Sequence, residues 1–139
     1  MSEFNYSPMF PVSADKTEYI QISDSFVTKS LIDGIEILKI DPQALTFLTQ
    51  RAFKDVSHLL RKSHLKQLKD ILDDKDASQN DHFVALTMLK NANISSAGVL
   101  PMCQDTGTAI IMGYKGENVF TNCDDSKYIS LGVYNTYKE

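Results

Sequence analysis

A thiol, an amide, a carboxylate, a hydroxyl and a glycine follow one another at Cys103-Gln104-Asp105-Thr106-Gly107, inside the stretch VLPMCQDTGTAIIMG (99–113). A thiolate at the tip of a turn, beside successive backbone N–H groups and a glycine that permits close approach, can hold a metal ion or an anion. Gln104 both donates and accepts hydrogen bonds. Asp105 can act as an acid, a base or an orienting group. An apolar run follows at once, and a rigid strand there would fix their positions. The same residues also make an ordinary turn. Pro101 ends a helix or fixes an extended approach, Asp-Thr-Gly is good turn chemistry, and cysteine is often simply buried. One cysteine is not a metal site, so any further ligands must come from elsewhere.

The rest of the chain offers few candidates. Cys123 lies in TNCDDS, a polar turn after an expected strand, and reads as an incidental loop residue. His58, His64 and His82 fall on expected helices among polar neighbours, as solvent-facing positions. There is no CxxC and no HxxxH. Neither a nucleophilic Cys–His pair using Cys103 nor a zinc site from Cys103, Cys123 and a histidine has a spacing that supports it.

The whole chain bounds the classes open to it. Its 139 residues suit a single domain with one core, and 42% apolar and 23% charged residues are ordinary for a globular protein. The net charge is −4. Arg51, Lys54, Arg61, Lys62, Lys66 and Lys69 are interleaved with leucines at helical spacing, the pattern of a solvated helix face rather than of a nucleic-acid-binding patch. The start, MSEFNYSPMF, has no cationic n-region and no continuous apolar core, so no secretory signal is expected. The apolar runs are too short to span a bilayer. Two cysteines in such a chain are expected to be thiols or ligands rather than a disulfide, with a reducing cytoplasm as the default location.

These residues need elements to hold them. Residues 1–17 read as an extended arm, and EYIQI (18–22) as a short strand. Asp33-Gly34, between two β-branched stretches in 26–40, predicts a hairpin. Asp41-Pro42 opens a helix, Asp as N-cap and Pro at the first helical position, with Leu45, Leu48, Ala52, Val56 and Leu59 as its core stripe. Ser63 is the expected cap of a second helix with Leu65, Leu68, Ile71 and Leu72 inward. Ser78 and Asp81 cap a third, carrying Val84, Ala85, Met88 and Leu89. The helical region runs over 41–92. TAIIMGY (108–114) and NVFT (118–121) read as paired strands joined by the turn KGE. Tyr128, Leu131, Val133 and Tyr134 mark a last helix over 125–139. GVYNTYKE carries no stop signal, which suggests a helix cut by the chain end and a polypeptide taken from something longer. The fold class expected is α+β: helices packed beside a small mixed or antiparallel sheet, with the Cys103 loop leading into a strand.

The segment GVLPMCQDTGTAIIMGYKGENVFT (98–121) closely resembles the cluster-binding segment of class I fumarate hydratases, the iron–sulfur hydro-lyases. GIEILKIDPQALTFLTQRAFKDVSHLLR (34–61), DASQNDHFVALTMLKNANI (76–94) and LGVYNTY (131–137) resemble the same family's N-terminal region, in the same order. The two-subunit tartrate dehydratases are the nearest competitor. The resemblance implies an N-terminal fragment of an enzyme that reversibly hydrates fumarate to (S)-malate. It implies a [4Fe–4S] cluster held by three cysteines, one iron remaining open to a small dicarboxylate substrate. Cys103 corresponds to the first ligand; Gln104 and Asp105 correspond to residues lining the substrate site. Asp105 would orient water or take part in proton transfer, and Thr106, Gly107 and Thr108 would shape the loop. Cys123 matches no ligand position. The family's other two ligands and its substrate-binding arginines, lysine and histidine correspond to positions beyond Glu139. Family members resemble homodimers. Dehydration of tartrate or another hydroxy-dicarboxylate is the alternative reaction. The alternative of another class is a non-catalytic assembly or binding module needing a partner chain, because one family-type cysteine cannot hold a catalytic cluster.

Overall fold

The computed structural model describes residues 4–8, 18–104 and 107–138. Its architecture is α+β, with four helices beside a three-stranded mixed sheet among the described residues. The expected arm falls mostly outside those residues; 4–8 belong to no helix or strand.

Strands β1 (Val27–Ile32) and β2 (Ile35–Ile40) form the expected hairpin, antiparallel from Val27↔Ile40 to Ile32↔Ile35. Its two-residue turn needs positive φ at both central positions. Asp33 (φ 50) and Gly34 (φ 80) supply it. The open end is closed by Asp41 N–H donating to Phe26 O at 2.9 Å. The Phe26 ring meets Phe47 at 5.8 Å, which ties the hairpin to the first helix.

That helix, α1 (Pro42–His58), starts as the sequence predicts. The Asp41 carboxylate accepts from Gln43 N–H at 2.8 Å and Pro42 occupies the first turn. The buried face is not the expected one. Ala52 is exposed, as are Leu48 (54%) and Val56 (67%), whereas Thr49 is buried. The reason is the partner. α1 packs along α4 (Asp125–Lys138), and the two approach through small and polar residues. A Cβ on Gly132 would stand 2.5 Å from Thr46 O and 2.7 Å from Thr49 Cβ, so the axes close at this glycine. Thr46 Oγ1 donates to Tyr128 O at 2.9 Å, and the Thr136 hydroxyl reaches Gly132 O at 3.0 Å and Gln50 O at 3.3 Å. On α4, likewise, Leu131 and Tyr134 stay exposed while Gly132 is buried.

The second helical pair is α2 (Lys62–Asp73) against α3 (Gln79–Ser95). Ser63 does not cap α2. Arg61 is the N-cap residue and makes no side-chain cap bond, leaving Ser63 inside the first turn. α3 has the full reciprocal cap: Ser78 Oγ accepts from Asp81 N–H, and the Asp81 carboxylate accepts from Ser78 N–H, both at 3.1 Å. Leu68, Ala85 and Ala92 are buried between these helices, whereas Val84 and Met88, expected inside, are exposed. The basic residues do line a solvated face: Arg51 pairs with Asp55, Lys66 with Asp70 and Lys69 with Asp73, each one turn on.

Two expected strands are not formed. Residues 18–22 make no strand: Tyr19 and Ile20 are almost fully exposed, and alternation without a neighbour provides no ladder. Residues 108–114 make no strand either, so the expected pairing of 108–114 with 118–121 is absent. β3 (Val119–Phe120) pairs instead with β2, in parallel, at Leu38↔Val119 and Lys39↔Phe120. That long-range pairing makes the sheet mixed.

Candidate active-site loop

The loop carrying Cys103 leaves the end of α3. Ser96 and Ala97 N–H bond back to the helix, and Gly98 turns the chain at φ 75. Pro101, which has no N–H to place, leads to Met102. Met102 N–H donates to Ser57 O at 2.9 Å, satisfying a carbonyl in the last turn of α1 that has no intrahelical partner. Asn91 Nδ2, on α3, donates to Met102 O at 2.8 Å. Cys103 follows immediately and is exposed, with Gln104 exposed beside it. Asp105 and Thr106 lie outside the described residues. Beyond the loop, Ala109 and Ile111 line a groove with Ile129 and Val133 of α4, so the apolar run lies beside that helix.

A second polar cluster sits at the start of α4. Asp125 accepts from Lys115 Nζ at 2.5 Å and from the buried Thr121 hydroxyl; Cys123 Sγ reaches Asp125 Oδ1 at 3.5 Å. The Lys115 and Thr121 hydrogen bonds hold the Asp125 carboxyl below its ordinary value. Partial burial pushes the Cys123 thiol up, and its bond to Asp125 adds to this against an opposing contribution from Thr121. Cys123 Sγ is thus a donor within this polar network.

His58, at the end of α1, borders a pocket together with Gly98, Val99 and Pro101 of the loop. His58 directs Nδ1 to Lys54 O at 2.8 Å and His82 directs Nε2 to Asp74 O at 2.9 Å. Among the described residues no three His, Cys, Asp or Glu side chains converge on a metal-sized site. Cys103 and Gln104 are brought together by adjacency, and Cys123 is held elsewhere. Asn91 escaped the sequence reading because a helix asparagine reaching a loop carbonyl eleven residues on leaves no periodic signal.

Known proteins are similar to this sequence. The family model described as "Fumarate hydratase (Fumerase)" matches residues 46–139. The chain is 51% identical over 136 residues to the anaerobic class I fumarate hydratase of Escherichia coli K12, covering 98% of this chain and 25% of that protein. It is 50% identical to the aerobic class I enzyme of the same strain, over 98% of this chain and 25% of that protein. It is also 50% identical to the mitochondrial fumarate hydratase 1 of Leishmania major, over 100% of this chain and 26% of that protein. The chain thus spans about a quarter of the length of these relatives. With the family model covering the loop, both α1–α4 partners and the sheet edge, the chain belongs to the fumarate hydratase family, with class I enzymes as its relatives.

Proposed function

We propose that this chain forms part of the active site of a fumarate hydratase that reversibly adds water to fumarate, giving (S)-malate, with a [4Fe–4S] cluster as cofactor. The observation that carries the reading is 51% identity to a class I fumarate hydratase across 98% of this chain, its Cys103-Gln104 loop included. The donor set fits one share of such a group. Cys103 is an exposed soft sulfur donor on an anchored loop, the ligand type iron–sulfur clusters take. No group of three such donors forms among the described residues, and in this reading the chain supplies Cys103 as one ligand of several.

When bound, a cluster with one iron open to substrate supplies a Lewis acid for the hydroxyl and an adjacent carboxylate of malate. Gln104 presents a neutral amide that hydrogen-bonds the substrate without adding charge. Asp105 orients the water or carries the proton that enters or leaves the neighbouring carbon. Gly107 and Thr108 are assigned to shaping the loop. The complete enzyme works as a homodimer on this small dicarboxylate.

The test is fumarate hydration by the complete polypeptide, purified without air and assayed beside tartrate dehydration. Activity should fall in air and return with ferrous iron and thiol, because an iron reachable by a dicarboxylate is reachable by oxygen. Asp105→Asn should lower turnover roughly 10²-fold or more at unchanged iron content, the scale of a lost acid–base group. Activity indifferent to air, or confined to tartrate, contradicts the reading. Full turnover in Asp105→Asn reduces that carboxylate to a brace of the turn.

A further inference from the structure

We propose that Asn91 is a positioning residue that sets the Cys103 loop for iron binding. The inference rests on the reading of Cys103 as a ligand. Met102, the residue before the thiol, is held on both sides of its backbone by two different helices. Its N–H donates to Ser57 O of α1 at 2.9 Å, and its carbonyl accepts from Asn91 Nδ2 of α3 at 2.8 Å. The first bond uses a carbonyl that the end of α1 leaves open. Ser57 is itself steadied by its hydroxyl, which donates to Phe53 O at 2.7 Å. The second bond is a side-chain bond, made by an exposed residue that contributes nothing to the core. An exposed asparagine spent on a loop carbonyl contributes little to folding but fixes the peptide from which Cys103 projects. A ligand loop held in place before iron arrives loses less conformational freedom on binding.

The experiment compares the complete protein with Asn91→Asp, which keeps the shape and removes the donor, and Asn91→Gln, which keeps the amide. Asn93→Asp, an exposed neighbour on α3, controls for the added charge. In cluster-free protein, amide hydrogen exchange is read on the fragment covering 99–104. After anaerobic reconstitution, the rate of iron loss to a chelator is read. Asn91→Asp should speed both by roughly threefold to tenfold, the effect of one hydrogen bond. The exchange change should be confined to 99–104, Asn91→Gln should restore most of the protection, and Asn93→Asp should change neither. Unchanged exchange and iron loss in Asn91→Asp, while Cys103→Ser loses its iron, overturns this inference alone. Faster exchange without faster iron loss, or exchange that spreads through α1 and α3, also overturns it. A Cys103→Ser protein that keeps its full cluster overturns the ligand reading and this inference with it.

Discussion

Asp125 accepts from Lys115, Thr121 and Cys123 at once, at the first turn of α4, where the helix dipole also favours negative charge. Its carboxyl is held below the ordinary value of 3.8, chiefly by the Lys115 hydrogen bond and then by Thr121. Asp81 is lowered in the same way by Ser78, at the start of α3. The sign follows directly. A carboxyl with a depressed folded-state pKa contributes stability above its unfolded value and loses that contribution as pH falls through the folded one. Asp125→Asn should therefore lower the melting temperature at pH 7, and the deficit should narrow at pH 3. A deficit equal at both values would mean that charge plays no part in the cluster. Cys123 belongs to this structural network, whereas Cys103 lies on an exposed loop.

Among the elements, the α1–α4 contact is the most demanding. Gly132→Ala gains about 1 kcal/mol of helix propensity. The added Cβ would nevertheless stand 2.5 Å from the Thr46 carbonyl oxygen, a backbone atom that cannot turn aside. The helices must part, straining the Thr46–Tyr128 and Thr136–Gln50 bonds as well. Overpacking of this kind costs about 1–3 kcal/mol, so the clash prevails. Urea unfolding should show Gly132→Ala destabilised by about 1 kcal/mol net; stability at or above the parent would contradict so close an approach. This contact also shows what the sequence leaves legible. Asp41-Pro42, Asp33-Gly34 and the Ser78–Asp81 cap are local devices, and all three stand where they were expected. The buried α1 face differs from the expected stripe because apolar periodicity points to leucines, while α4 sets its Gly132 on Thr46 and Thr49 and its Tyr137 against Phe53. Residues 108–114 were misread because a β-branched run becomes a strand only when a neighbour pairs with it. Here β2 takes Val119–Phe120 instead. In the loop, residue type and resemblance single out Cys103 and Gln104 as candidates, whereas the Asn91 and Ser57 anchors leave no sequence signal.

At the scale of the whole molecule, the surface is large. The chain exposes 12122 Å² for 15.6 kDa, whereas a self-contained globule of that mass exposes about 7,200 Å². Ile110, Met112, Phe83 and Val99 are each more than 65% exposed. The chain spans about a quarter of its relatives' length, and one sulfur of the proposed cluster is assigned to these residues. The central claim is that this sulfur is Cys103. The most direct measurement is the iron and sulfide content of the complete protein, purified without air, in Cys103→Ser and Cys123→Ser forms. Cys103→Ser should lose most of its iron, because a hydroxyl is a poor ligand where a soft thiolate is needed, and Cys123→Ser should match the parent. Iron retained in Cys103→Ser, or lost equally in both, would contradict the account.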